Sequence, residues 1–79
     1  MDIVKYDAKE LCKEIKLACS DYGIKLRPLC KELGISQYSY NIIVNSSNQI
    51  TVKNTSKLGK AIIELCNYLD IRYWMYEEY

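Results

Sequence analysis

Four thiols, Cys12, Cys19, Cys30 and Cys66, are the first candidates for chemistry in this sequence. None pairs as Cys-x-x-Cys, the spacing that a zinc ribbon or a redox dithiol would use. Cys12 and Cys19 stand seven residues apart, which on one helix is about 10 Å of rise and too far for a disulfide. Each falls on an apolar helical face, where a free cysteine packs as a small hydrophobe. They are expected to be core filler, with no metal bound. Histidine is absent altogether, which removes Ser-His-Asp and Cys-His catalysis and histidine metal ligation. The three glycines, Gly23, Gly34 and Gly59, are too scattered to cradle a phosphate. Enzyme is therefore the disfavoured class, and no cofactor is implied. What remains is recognition chemistry. The amides Gln37, Asn41 and Asn45 recur every four residues and are interleaved with Tyr38 and Ile42, so one helix face would carry donors, acceptors and apolar atoms together.

These residues need elements to hold them. Asp7 and Glu10 form a capping box, and Tyr6 and Leu11 a hydrophobic staple, at the start of a first helix. Leu11, Cys12, Ile15, Ala18, Cys19 and Tyr22 line one side of it, while Lys9, Lys13, Glu14 and Lys16 go largely to the other. Gly23 ends it, with Ile24 folding back as the apolar contact. A short second helix carries Leu26, Leu29, Cys30 and Leu33, tolerates Pro28 in its first turn and stops at Gly34. Ser36 caps a third helix, Gln37 to Asn45, with Tyr40, Ile43 and Val44 inward. Ser46 to Gln49 reads as a loop, and Ile50 to Lys53 alternates as a briefly extended stretch. Asn54 or Thr55 is expected to cap a fourth helix bearing Leu58, Ala61, Ile62, Leu65, Cys66 and Leu69. Gly59 inside it implies close packing or a neutral site. Asp70-Ile71 ends that helix, and Arg72 to Tyr76 is expected to add a last helical turn. No internal repeat, linker or low-complexity segment is seen. The expectation is a single all-α domain over residues 1–79, a bundle of four to five helices.

Length and hydropathy agree with one small core. The longest apolar run is Tyr73-Trp74-Met75-Tyr76, far short of the roughly 20 residues a bilayer span requires. The first residues, Met1-Asp2-Ile3-Val4-Lys5-Tyr6-Asp7, lack the apolar stretch of a secretory leader. A cytoplasmic location with no membrane partner is expected.

The run Leu29-Cys30-x-x-Leu33-Gly34-Ile35-Ser36-x-x-x-Tyr40-x-x-Ile43 resembles the helix-turn-helix of the Cro/repressor (XRE-like) family of DNA-binding proteins. Cys30 is the small residue that lets two helices cross closely, and Gly34 takes the left-handed turn. Leu65-Cys66-x-x-Leu69-Asp70-Ile71 is similar to the segment that closes such domains. The likeness covers residues 8 to about 76. The chain departs from the pattern at Tyr40, where Val or Ile is usual, and at Ile42 and Val44, where Arg and Glu are frequent. The stretch between the third and fourth helices is also longer than usual.

The resemblance implies a lambda-repressor-like fold. It also implies a small transcriptional regulator, like those of phages and mobile elements, that binds double-stranded DNA as a homodimer and represses by occluding an operator. The third helix would read bases through Gln37, Tyr38, Asn41, Ile42 and Asn45. Asn and Gln suit adenine, and an apolar side chain suits the thymine methyl. Lys25, Arg27, Ser36 and Lys53 would meet the phosphate backbone.

Charge is polarised though the net is only +1. Lys25, Arg27, Lys31, Lys53, Lys57 and Lys60 face Glu32 alone across that stretch, whereas Glu64 onward is acidic. The aromatic cluster Tyr73, Trp74, Tyr76 and Tyr79 is the expected pairing surface. The alternative is a protein-binding module on the same scaffold: an antirepressor, an antitoxin or an inhibitor of a host nuclease. Near-neutral charge and surface aromatics suit that reading, in which a protein partner replaces DNA.

Overall fold

Asp7 caps the first helix, its Oδ1 accepting from the Glu10 amide at 3.0 Å. In the computed structural model, which describes residues 3–71 and 76–78, this aspartate also closes a strand. The order is β1 (Ile3–Asp7), α1 (Ala8–Tyr22), α2 (Leu26–Glu32), α3 (Gln37–Asn45), β2 (Gln49–Lys53), α4 (Lys57–Tyr68) and β3 (Tyr76–Glu78). Tyr6 and Leu11, the expected staple, are both buried in the core.

Three of the helices, α1, α2 and α4, end by one repeated device. Ala18-Cys19-x-x-Tyr22-Gly23-Ile24, Leu29-Cys30-x-x-Leu33-Gly34-Ile35 and Leu65-Cys66-x-x-Leu69-Asp70-Ile71 are variants of one heptapeptide. In each, the isoleucine amide donates back to the cysteine carbonyl: Ile24 to Cys19 at 2.8 Å, Ile35 to Cys30 at 2.9 Å and Ile71 to Cys66 at 2.9 Å. The preceding residue donates to Ser20, Lys31 and Asn67 respectively, completing a Schellman motif at each end. That residue must be left-handed, with φ of 68° at Gly23, 75° at Gly34 and 53° at Asp70. Glycine adopts this freely; Asp70 does so at a cost. The expectation of no internal repeat is thus corrected. The copies fall at irregular intervals, so no fixed period exposes them.

The expectation of a small, mainly helical domain holds, with four helices among the described residues, but the chain is not all-α: a sheet accompanies them. The four helices pack against a three-stranded antiparallel sheet of order β2-β1-β3. Ile3 pairs with Lys53 and Asp7 with Gln49, and the ladder runs on through the Ala8 amide to the Asn48 carbonyl at 3.1 Å. On the other side of β1, Ile3 meets Glu78 and Lys5 meets Tyr76. The extended reading of residues 50–53 therefore corresponds to β2, whose Ile50 and Val52 are half-buried beneath the helices. Tyr76 opens a strand, where a last helical turn was expected; residues 72–75 lie outside the described residues.

Tyr6, Leu11, Ile15, Ile43, Ile62, Leu65 and Leu69 form the heart of the core. α3 touches both α1 and α4, β1 rests on α1, and β2 rests on α4. The α4 cap is Ser56, not Asn54 or Thr55. Its Oγ accepts from the Gly59 amide at 3.0 Å and donates to the Lys53 carbonyl at 2.7 Å, tying helix to strand with one hydroxyl. Gly59 is the close-packing site: a Cβ there would run into that Lys53 carbonyl oxygen. Among the described residues, no helix is long and apolar enough to cross a membrane.

Candidate nucleic-acid interface

α3 has the bounds its cap and periodicity set. Ser36 Oγ accepts from the Ser39 amide and donates to Ser39 Oγ, both at 3.2 Å, so the hydroxyl is committed to starting the helix. Ile43 is buried, and Tyr40 and Val44 are partly buried against the core. Ser39 is also buried, at 1% exposure, because its hydroxyl is satisfied by Ser36. The opposite face is open. Gln37, Tyr38, Asn41 and Asn45 are exposed, with Tyr38 at 71%, while Ile42 is half-buried between the two faces.

Gln37 and Asn41 are joined, Gln37 Nε2 donating to Asn41 Oδ1 at 3.0 Å. The pair leaves the Gln37 carbonyl oxygen as an acceptor and the Asn41 amide nitrogen as a donor. Two side chains one turn apart thereby present a joint acceptor–donor edge.

The cations divide into groups. Lys25 is the N-cap residue of α2 and makes no side-chain cap bond. Arg27, the second residue of α2, lies with its guanidinium 5.2 Å from the centre of the Tyr40 ring. This explains the tyrosine at Tyr40: its half-buried ring is a platform that holds an α2 cation beside α3. Lys53 stands elsewhere. It ends β2 at the end remote from α3, about 13 Å along the strand from Gln49, beside Lys57 and Lys60 of α4.

One grouping was not foreseen. An open groove of about 790 Å³ separates the amino-terminal half of α1 from the end of α3, and Lys9, Lys13 and Lys16 line it with Val44, Asn45, Ser46 and Ser47. The sequence places the α1 lysines only on the side of the helix away from its apolar stripe. Their spacing of four and then three residues already places them on one ridge; which element faces that ridge is decided by the packing of α1 on α3.

Of the cysteines, only Cys12 lines the groove; Cys19, Cys30 and Cys66 have no part in it. All four are free thiols buried in the chain. Burial pushes the Cys19 thiol up, and burial together with the neighbouring Cys19 raises Cys30. Burial takes Cys66 from its ordinary 9.0 to about 11, so it is protonated and inert at neutral pH. No group of three His, Cys, Asp or Glu suited to a metal ion occurs among the described residues.

Of the expected pairing surface, Tyr73, Trp74 and Tyr79 lie outside the described residues, and Tyr76 takes its place in β3. Compared with protein-family models, with curated proteins and with solved structures, the chain matches none.

Proposed function

We propose that the chain is a small DNA-binding transcriptional regulator, with α2 and α3 as its helix-turn-helix and α3 as the reading helix in the major groove. The observation that carries the reading is the outward face of α3. It holds a hydrogen-bonded Gln37–Asn41 pair flanked by Tyr38 and Asn45, next to an Arg27 held in place by Tyr40. An acceptor and a donor side by side match the N6 amino group and N7 of adenine, so an A·T-leaning site is expected. No arginine lies on that face to read guanine. Lys25 and Arg27 contact phosphates on one flank. A domain this small covers little DNA, so binding is as a homodimer on a palindromic site, in the cytoplasm.

The second reading, a protein-binding module, draws on one observation: Tyr38, 71% exposed, stands in the middle of the same face. Selection from random duplexes at stated salt separates the two. Enrichment of a palindrome, with affinity falling steeply as salt rises, supports the regulator. No enrichment and no retardation of DNA would transfer the α3 face to a protein partner.

A further inference from the structure

We propose that the groove between α1 and the end of α3 is a second phosphate-binding surface, which takes the DNA backbone on the side of the reading helix opposite α2. The inference rests on the regulator reading and extends its footprint to an element that reading does not use. Three observations carry it.

The first is charge. Lys9, Lys13 and Lys16 line the groove together with the apolar Cys12, Leu17 and Val44, and Glu10 is the one acid in that lining. The carbonyl end of α3 adds only about half an elementary negative charge, which cannot neutralise three lysines. All three lysines are exposed, and among the described residues the opposite wall of the groove, Val44 to Ser47, carries no acid. The second is dimension. Seven residues of helix separate Lys9 from Lys16, about 10 Å of rise. Successive phosphates of one strand advance about 3.4 Å along the duplex axis and also wind around it, so the ridge is long enough to meet about two of them. The third is continuity. Asn45 belongs both to the outward face of α3 and to the groove wall, and Ser46 and Ser47 follow it with hydroxyls that donate to phosphate oxygens. A strand leaving the base edges read by Gln37 and Asn41 passes Asn45 straight onto the lysines. The groove ligand is therefore the phosphate backbone of duplex DNA.

The test is the triple variant Lys9→Gln, Lys13→Gln, Lys16→Gln, titrated beside the parent and Gln37→Ala on the selected duplex and on an unrelated one, over a range of salt. The triple variant is expected to bind both duplexes at least about tenfold more weakly at about 0.1 M salt, and to flatten the salt slope by about two units. Gln37→Ala should weaken the selected duplex alone and leave the slope as it is. Circular dichroism of the triple variant should match the parent, since the three side chains are exposed. In the parent, amide resonances of residues 9–17 and 45–47 should shift with either duplex. A parent that binds DNA while the triple variant keeps its slope overturns the groove and leaves the regulator reading standing. A triple variant weakened on the selected duplex only also overturns it, since phosphate contact is blind to sequence. A parent that fails to retard any duplex at about 50 mM salt overturns the regulator reading itself, and the groove with it.

Discussion

α3 and α4 are both short helices started by a serine cap, and they use their residues in opposite ways. α4 buries Gly59, Ala61, Ile62, Leu65 and Cys66, so nearly every turn of it is core. α3 buries only Ser39 and Ile43, supported by the flanks of Tyr40 and Val44. α4 also fixes the strand beside it, through Ser56 on the Lys53 carbonyl and the bare backbone of Gly59. α3 holds the Arg27 guanidinium over its Tyr40 ring and leaves its outward amides to solvent. The contrast teaches where stability and recognition reside. A helix held by two buried side chains on a rigid neighbour keeps a free face in one orientation, which is what a reading surface requires.

Leu65→Ala should sharpen this contrast most. Leu65 is fully buried, and its truncation is expected to cost about 2–5 kcal/mol, a large part of the stability of a domain this size. Urea unfolding followed by circular dichroism measures it; a cost under about 1 kcal/mol would break the view of α4 as the stabilising helix. Gly59→Ala comes next, at about 1–3 kcal/mol in the same assay, because the added methyl meets the Lys53 carbonyl and backbone cannot yield cheaply.

On α3 the expectation reverses. Gln37→Ala and Asn41→Ala should each leave unfolding within about 0.5 kcal/mol of the parent. Each should weaken binding to the selected duplex by about 1–3 kcal/mol. Because the two amides act as one edge, the double variant should lose clearly less than the sum of the singles. Strict additivity in such a cycle would mean the pair reads bases independently.

The cysteines probe the core by pH. Cys66 is neutral when protonated, and its folded value of about 11 stands above the ordinary 9.0 of the exposed thiol. A raised value stabilises the fold fully below about pH 9, and that stabilisation is lost as pH climbs through about 11. A loss on the order of 2 kcal/mol is expected over that window, and Cys66→Ala should remove this part of the pH dependence. The smallest effect is at the end of α4. Asp70→Gly relieves a left-handed aspartate at φ 53° and should stabilise by up to about 1 kcal/mol, read as a rise in the urea midpoint.

Much of the local structure was legible in the residues. Asp7, Ser36 and the Gly34 turn announce their helix ends because capping and Schellman bonds join residues three to five apart. The bounds of α3 followed from Ser36 and the positions of Ile43 and Val44, and its open face from the same count. The Ser56 cap was missed because Asn54, Thr55 and Ser56 are all competent caps; what selects Ser56 is the Lys53 carbonyl of the strand before it. Tyr40 looked like a departure from a pattern until Arg27 was seen above its ring.

Sequence by itself determined the four helices, the burial of most of their apolar stripes (Tyr22, expected inward on α1, is 55% exposed) and the outward amides of α3. Each is set by hydrogen bonds and side-chain spacing within about one or two helical turns. Only the tertiary structure decided the sheet and the lysine groove. A strand has no internal ladder: Ile3 finds its bonds at Lys53 and Glu78, which are near it only once the helices between have packed. Lys9, Lys13 and Lys16 share a ridge by helical spacing, yet they become the wall of a groove only where α1 crosses the end of α3.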